Sequence, residues 1–219
     1  NAADLVLTGA LSSSGTLVLQ PSTTGSTIGI GGGSGAFDVD DAELALLTDG
    51  FASITIGDAT DGSGAIEVDS STFSDDVTII GGPITVSGLL NVTGTTTLTA
   101  GGAVAINADV TSSDNVDITA TDTAAAGQDV DIAVAVTVQS TAGSITIDAG
   151  DDFSVAAGSV LDADTTITVN VDSGDADTGT GATADLGGTF TSGAGATVNS
   201  ASDNDTFNVT AATAATLVG

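Results

Sequence analysis

The sequence predicts an all-β chain wound as a parallel β-helix, a solenoid of short rungs. Three observations lead there. Ala, Val, Ile and Leu supply nearly all of the 41% hydrophobic content, beside 30 glycines, six phenylalanines and no Trp, Tyr, Met or Cys. β-Branched residues suit a pleated surface, and Gly, Asp, Asn and Ser suit turns. Apolar segments of only three or four residues recur through the middle of the chain at intervals of about seven, too tight for sandwich strands of about five to six residues plus a turn. Apolar residues also alternate, as at Val104/Ile106, Val116/Ile118, Val130/Ile132 and Ile145/Ile147. Such a pattern points one set inward and leaves Thr, Asp and Ala outside.

In chain order the candidate strands begin at 5–7, 16–19, 28–30, 36–39, 54–56, 65–68 and 77–80. They continue at 84–86, 89–92, 97–98, 104–106, 116–118, 130–132, 134–138, 145–147, 153–155, 160–161 and 167–171. Three segments make one rung of about 20 residues, as from Ile84 to Val104. About ten rungs stacked at roughly 4.8 Å give a rod on the order of 50 Å. The alternative is one or more β-sandwich domains.

One stretch departs from the rhythm. "DDAELALLTDG", residues 40–50, places Asp40 three residues before Glu43, follows with Leu44 and Leu47, and closes on Gly50. This is a capping-box arrangement, so a short helix is expected near 41–48, covering an edge of the core. From 172 to 195 the Val and Ile content falls, which fits either a long loop or narrow rungs filled by Ala and Thr. No linker separates domains, so residues 1–219 read as a single elongated segment. The start at Asn1, in mid-pattern and with no basic n-region, suggests part of a longer or processed exported protein.

The charge is one-sided. There are 29 acidic residues and no Lys, Arg or His, giving a net charge of −29. Nucleic-acid binding needs cations against phosphate, and there are none. An anionic membrane surface repels such a chain, and no apolar run reaches the roughly 20 residues that span a bilayer. Self-repulsion has to be relieved by salt, by divalent cations or by spreading the charge along a rod. These needs fit an extracellular or cell-surface setting.

Residues 40–82 resemble the repeats of filamentous-haemagglutinin-like bacterial surface proteins. There a helical "AEL..L..G" piece leads into an "S-I-x-I-G-D" strand, matched here by Ala42, Glu43, Leu44, Leu47, Gly50, Ser53, Ile54, Ile56, Gly57 and Asp58. The stretches "GLLNVTGTTTLTAGGAVAI" and "GSITIDAGDDFSVAAGSV" are similar to those repeats as well. The resemblance implies a right-handed parallel β-helix, export to the bacterial surface, and a role in adhesion or filament formation. Its partners would be identical or neighbouring repeats, joined end to end, and a host or cell-surface ligand. Separately, residues 200–209 are similar to a calcium-binding nonapeptide repeat, with Asp203, Asp205 and Phe207 on its later positions and Ser200 and Ser202 where glycines belong.

Catalysis is not expected. A Ser or Thr nucleophile needs an adjacent base, and neither His nor Lys exists to supply one. The neighbouring pairs Asp75/Asp76 and Asp151/Asp152 point to opposite faces of a strand, so neither pair flanks one glycosidic bond. Structural Ca²⁺ is the chemically better case, because it takes six to eight oxygen ligands. The leading metal candidates are Asp148, Asp151 and Asp152, then Asp172, Asp175 and Asp177, then Asp203 and Asp205. Asp38/Asp40/Asp41, Asp58/Asp61 and Asp162/Asp164 are further acidic groups. Against each stands the simple preference of Asp for turns. In "DSGDADTGTG" a helix-loop-helix calcium loop fails, since counting from Asp175 puts Gly179 at the fifth position and counting from Asp172 puts Gly174 at the third. Thr95–Thr97 and Thr121/Thr123 raise an ice-binding reading, but T-x-T matches do not recur at rung spacing. They are read as outward-facing β-formers. The acceptor patterns beginning at Asn91, Asn204 and Asn208 are what a Thr-rich chain yields by chance.

Overall fold

A computed structural model describes residues 5–58, 64–174, 176, 177, 181–201 and 204–210, and the backbone of 215–218. The chain forms a parallel β-helix. It opens with β1 (Thr16–Leu19), β2 (Ile28–Ile30), β3 (Phe37–Val39) and helix α1 (Asp41–Leu44). The first full coil is β4 (Ser53–Gly57), β5 (Ile66–Val68) and β6 (Ser71–Phe73). The second is β7 (Val77–Gly81), β8 (Ile84–Val86) and β9 (Leu90–Val92), and the third β10 (Thr96–Ala100), β11 (Val104–Ile106) and β12 (Val110–Ser112). The fourth is β13 (Val116–Ala120), β14 (Val130–Ile132) and β15 (Thr137–Ser140), and the fifth β16 (Ile145–Ala149), β17 (Phe153–Val155) and β18 (Val160–Ala163). The sixth is β19 (Thr166–Val171), β20 (Thr183–Leu186) and β21 (Thr189–Ser192), followed by β22 (Gly195–Ser200), β23 (Thr206–Val209) and β24 (Ala215–Val218).

These strands stack into two nine-stranded sheets and one six-stranded sheet. The first runs β1-β4-β7-β10-β13-β16-β19-β22-β24, the second from β23 back through β5 and β2 to β3, and the third from β6 to β21. Every paired ladder among the described strands is parallel, so the β-sandwich alternative does not form. Nine strands in the longest sheet, rather than the ten rungs expected, give a stack of roughly 40 Å at about 4.8 Å per step.

Register explains the interior. In the first sheet Ile56, Ile79, Leu98, Ile118, Ile147, Val169 and Val198 occupy one column. All are buried. The second sheet contributes Ile30, Val68, Val86, Ile106, Ile132, Val155 and Leu186 in the same way. A one-residue slip would turn every such side chain outward, and this fixes each coil on the last. Buried hydroxyls finish the corner between the third and first sheets. Thr96 and Ser112 share a hydrogen bond of 3.1 Å, and Ser140 Oγ donates to the Asp114 carbonyl at 2.6 Å.

Three sequence expectations change. Residues 5–7 form no strand, and β6, β12, β20, β21 and β24 were not foreseen. The run 134–138 is broken: Val134 is 70% exposed, Ala135 has φ of 60°, and the strand begins only at Thr137. Of the two readings of the Val-poor region, the narrow coils form: Ala182, Ala184, Leu186 and Phe190 are buried there. The helix is real but shorter. Asp40 and Glu43 form the capping box, and α1 ends at Leu44 because Leu47 instead joins Leu11 in an isolated parallel bridge. Helix and bridge together cover the beginning of the stack, with α1 lying against β6.

The parallel pair β2/β3 is joined by residues 31–36 alone, whereas parallel connections ordinarily need a dozen or more. Glycine makes this crossover feasible. Gly31 and Gly32 have φ of 63° and 101°, and a Cβ on Gly35 would collide with the backbone at Gly29.

Replacing Ile147 by Ala is expected to cost about 2–5 kcal/mol in urea unfolding. Thr146→Ala, one position along the same strand, should cost less, about 1 kcal/mol, because it removes only a half-buried hydrogen bond to Asp117. Equal losses would contradict the inward and outward assignment.

Candidate functional site

Connections between the first and second sheets stack at one corner of the coil. Two of them, residues 121–129 and 172–182, are long, and they flank the tight turn 150–152. Glycine opens the space between. A Cβ on Gly150 would stand 2.7 Å from Asp122 Cα, and one on Gly174 would stand 2.7 Å from Asp122 Oδ2. Carboxylate oxygens of Asp122, Asp151 and Asp177, one from each connection, therefore lie within 4.8 Å of one another. Beside them is a cleft of about 360 Å³ lined by Gly127, Asp129, Asp151, Asp152, Asp177 and Gly181, with Ala126 and Ala182.

The carboxylates here are held by backbone donors. Asp151 Oδ2 accepts from the N–H groups of Gly127 and Gln128, at 2.5 and 2.7 Å. Asp122 Oδ2 accepts from Ala176 N–H at 2.5 Å, which ties the fourth coil to the sixth. Asp122 Oδ1 is buried with no hydrogen-bond partner. Three negative groups this close repel one another, and any compensating cation has to come from solvent because the chain has no basic side chain. A hard cation with oxygen preference, completed by carbonyls and water, matches this donor set.

The same device recurs along the rod. Asp76 accepts from Thr95 N–H, Asp109 from Thr137 N–H, Asp152 from Thr183 N–H and Asp205 from Ala182 N–H, all at 2.6–2.8 Å and all one coil away. On the outer faces, neutral side chains serve instead. Asn170 donates to Asp148 and Asn199 to Asn170, Gln139 to Asp162, Ser154 to Asp131, and Asn208 to Asp185.

The foreseen metal ligands among the described residues have these places. Asp151 and Asp177 come together, joined by Asp122, which sequence reasoning missed. Asp148 sits apart in the asparagine ladder of the first sheet. Asp152 points to the coil after its own, while Asp151 points to the coil before. Asp172 is 1% exposed at φ 55°, and Asp205 binds Ala182. Asp175 and Asp203 lie outside the described residues. The two adjacent pairs lie in turns rather than on a strand as expected, and they diverge along the stack: Asp75 accepts from Gly50 N–H while Asp76 accepts from Thr95 N–H. Asp122 had a signal once coils are aligned. It follows Ala120 by two residues, as Asp151 follows Ala149, and those alanines are register partners.

Single threonines recur at rung spacing, although T-x-T rows, as expected, do not. Thr55, Thr78, Thr97, Thr146, Thr168 and Thr197 form one outward column of the first sheet, interrupted by Asp117. The adjoining column runs Ile80, Thr99, Thr119, Asp148, Asn170 and Asn199, so the T-x-T rows of this sheet, such as Thr97/Thr99 and Thr166/Thr168, do not fall on successive coils. The column is a β-former ladder.

Comparison of the chain with protein-family models, curated proteins and solved structures finds no match.

Two carboxyls are pushed above the ordinary range. Asp129 is raised chiefly by burial, then by the charges of Asp152, Asp131 and Asp151, against the lowering effect of the Asp152 N–H it accepts. Asp117 is raised by burial and by Asp148, against a lowering hydrogen bond from Thr146. A raised carboxyl binds its proton more tightly in the folded state. Its stabilising contribution is full below the unfolded value of about 3.9 and is lost as pH rises through the folded value. Asp129→Asn is therefore expected to raise the melting temperature at pH 7 and to flatten the fall in stability as pH rises above the unfolded carboxyl value of about 3.9. Lower stability at pH 7 would contradict the assignment. Asp151→Ala leaves two N–H groups without an acceptor and is expected to cost about 1–3 kcal/mol in denaturant unfolding, with Asp151→Asn costing less.

Proposed function

We propose that this chain is a non-catalytic structural or adhesive element of the bacterial cell surface or of an extracellular filament. The carrying observation is the uninterrupted stack itself. Three parallel sheets in strict register hold an aliphatic interior, while the sides bear short polar residues joined coil to coil. Such a stack does mechanical work, as a spacer or scaffold whose length is set by the number of coils. The resemblance of residues 40–82 to filamentous-haemagglutinin-like repeats supports the same reading and the same setting outside the cell. The stack's partners are identical or neighbouring repeats, stacked end to end, and a ligand on a host or cell surface. No helix among the described residues is long and apolar enough to cross a membrane.

Within this reading, Ca²⁺ from the surrounding medium is the counter-ion at Asp122, Asp151 and Asp177. It would relieve repulsion and pin the two long corner connections onto the turn between them. Binding to the folded state alone raises stability in proportion to the logarithm of ligand concentration.

Two experiments test the proposal. Fused to an anchor on a non-adherent bacterial cell, the full chain is expected to increase attachment to host cells or to cells bearing the same chain. A panel of neutral glycans should remain uncleaved. Unchanged attachment would remove the adhesive role, and turnover of any glycan would overturn the non-catalytic reading. For the cation, the melting temperature of the wild-type chain should rise with added calcium and fall back with a chelator, and Asp122→Asn should abolish most of the increment. Identical melting curves with calcium and with chelator remove Ca²⁺ from the account.

A further inference from the structure

We draw no further inference here: the strongest candidate, the carboxylate cluster of Asp122, Asp151 and Asp177 in the cleft between the first and second sheets, belongs to the site already described and has no second observation in the structure that points to a ligand.

Discussion

A fold with 29 carboxylates and no basic side chain has to satisfy its charges without ion pairs. The structure answers with hydrogen bonds that run from one coil to the next. Backbone N–H groups in turns and at strand starts serve Asp76, Asp109, Asp151 and Asp152, and neutral amides or hydroxyls serve Asp131, Asp148, Asp162 and Asp185 on the faces. Hydrogen bonds to an ionised acceptor are roughly twice as strong as neutral ones. They also run parallel to the stacking direction, so each one reinforces the register that the aliphatic columns require. Acidity and coil stacking are coupled features of this sequence.

Neutral donors solve the local problem without removing the net charge. Repulsion remains along the stack, and at Asp129 the charges of Asp152, Asp131 and Asp151 add to the effect of burial. A linear stack limits this cost, because charges spread along a rod lie farther apart than on a sphere and are screened beyond a Debye length of about 8 Å at physiological ionic strength. Each coil contacts mainly its neighbours, so stability is close to a sum of coil and interface contributions. The covering of the first coils by α1 and the Leu11–Leu47 bridge protects strand edges that would otherwise invite pairing.

Much of this was legible in the residues. Strand cores such as Val104/Ile106 and Ile145/Ile147 announced themselves by alternation, and the Asp40–Glu43 capping box announced the helix. Strands with Ser or Ala at inward positions, such as Val110–Ser112 and Thr183–Leu186, were hidden because apolar alternation alone cannot find them. Corner chemistry was hidden for a different reason. Thr96 pairs with Val116, but Val116 pairs with Ile145, because residues 121–129 lengthen one coil. Unequal connections conceal any column of residues until register is known. The threonine ladder and the meeting of Asp122 with Asp151 and Asp177 were lost in this way, whereas grouping acids by nearness in sequence joined Asp148 to residues from which the fold separates it.

Corner amides, two in turns and two at strand starts, are held by carboxylates from adjacent coils. Amide hydrogen exchange at Thr95, Gln128, Thr137 and Thr183 tests this most directly, read residue by residue in the native protein. Protection comparable to that of neighbouring strand amides is expected at all four. It should be lost selectively at Thr95 in Asp76→Ala and at Thr137 in Asp109→Ala, and persist when salt is raised. Exchange at the rate of open loops in the wild-type chain would contradict the account.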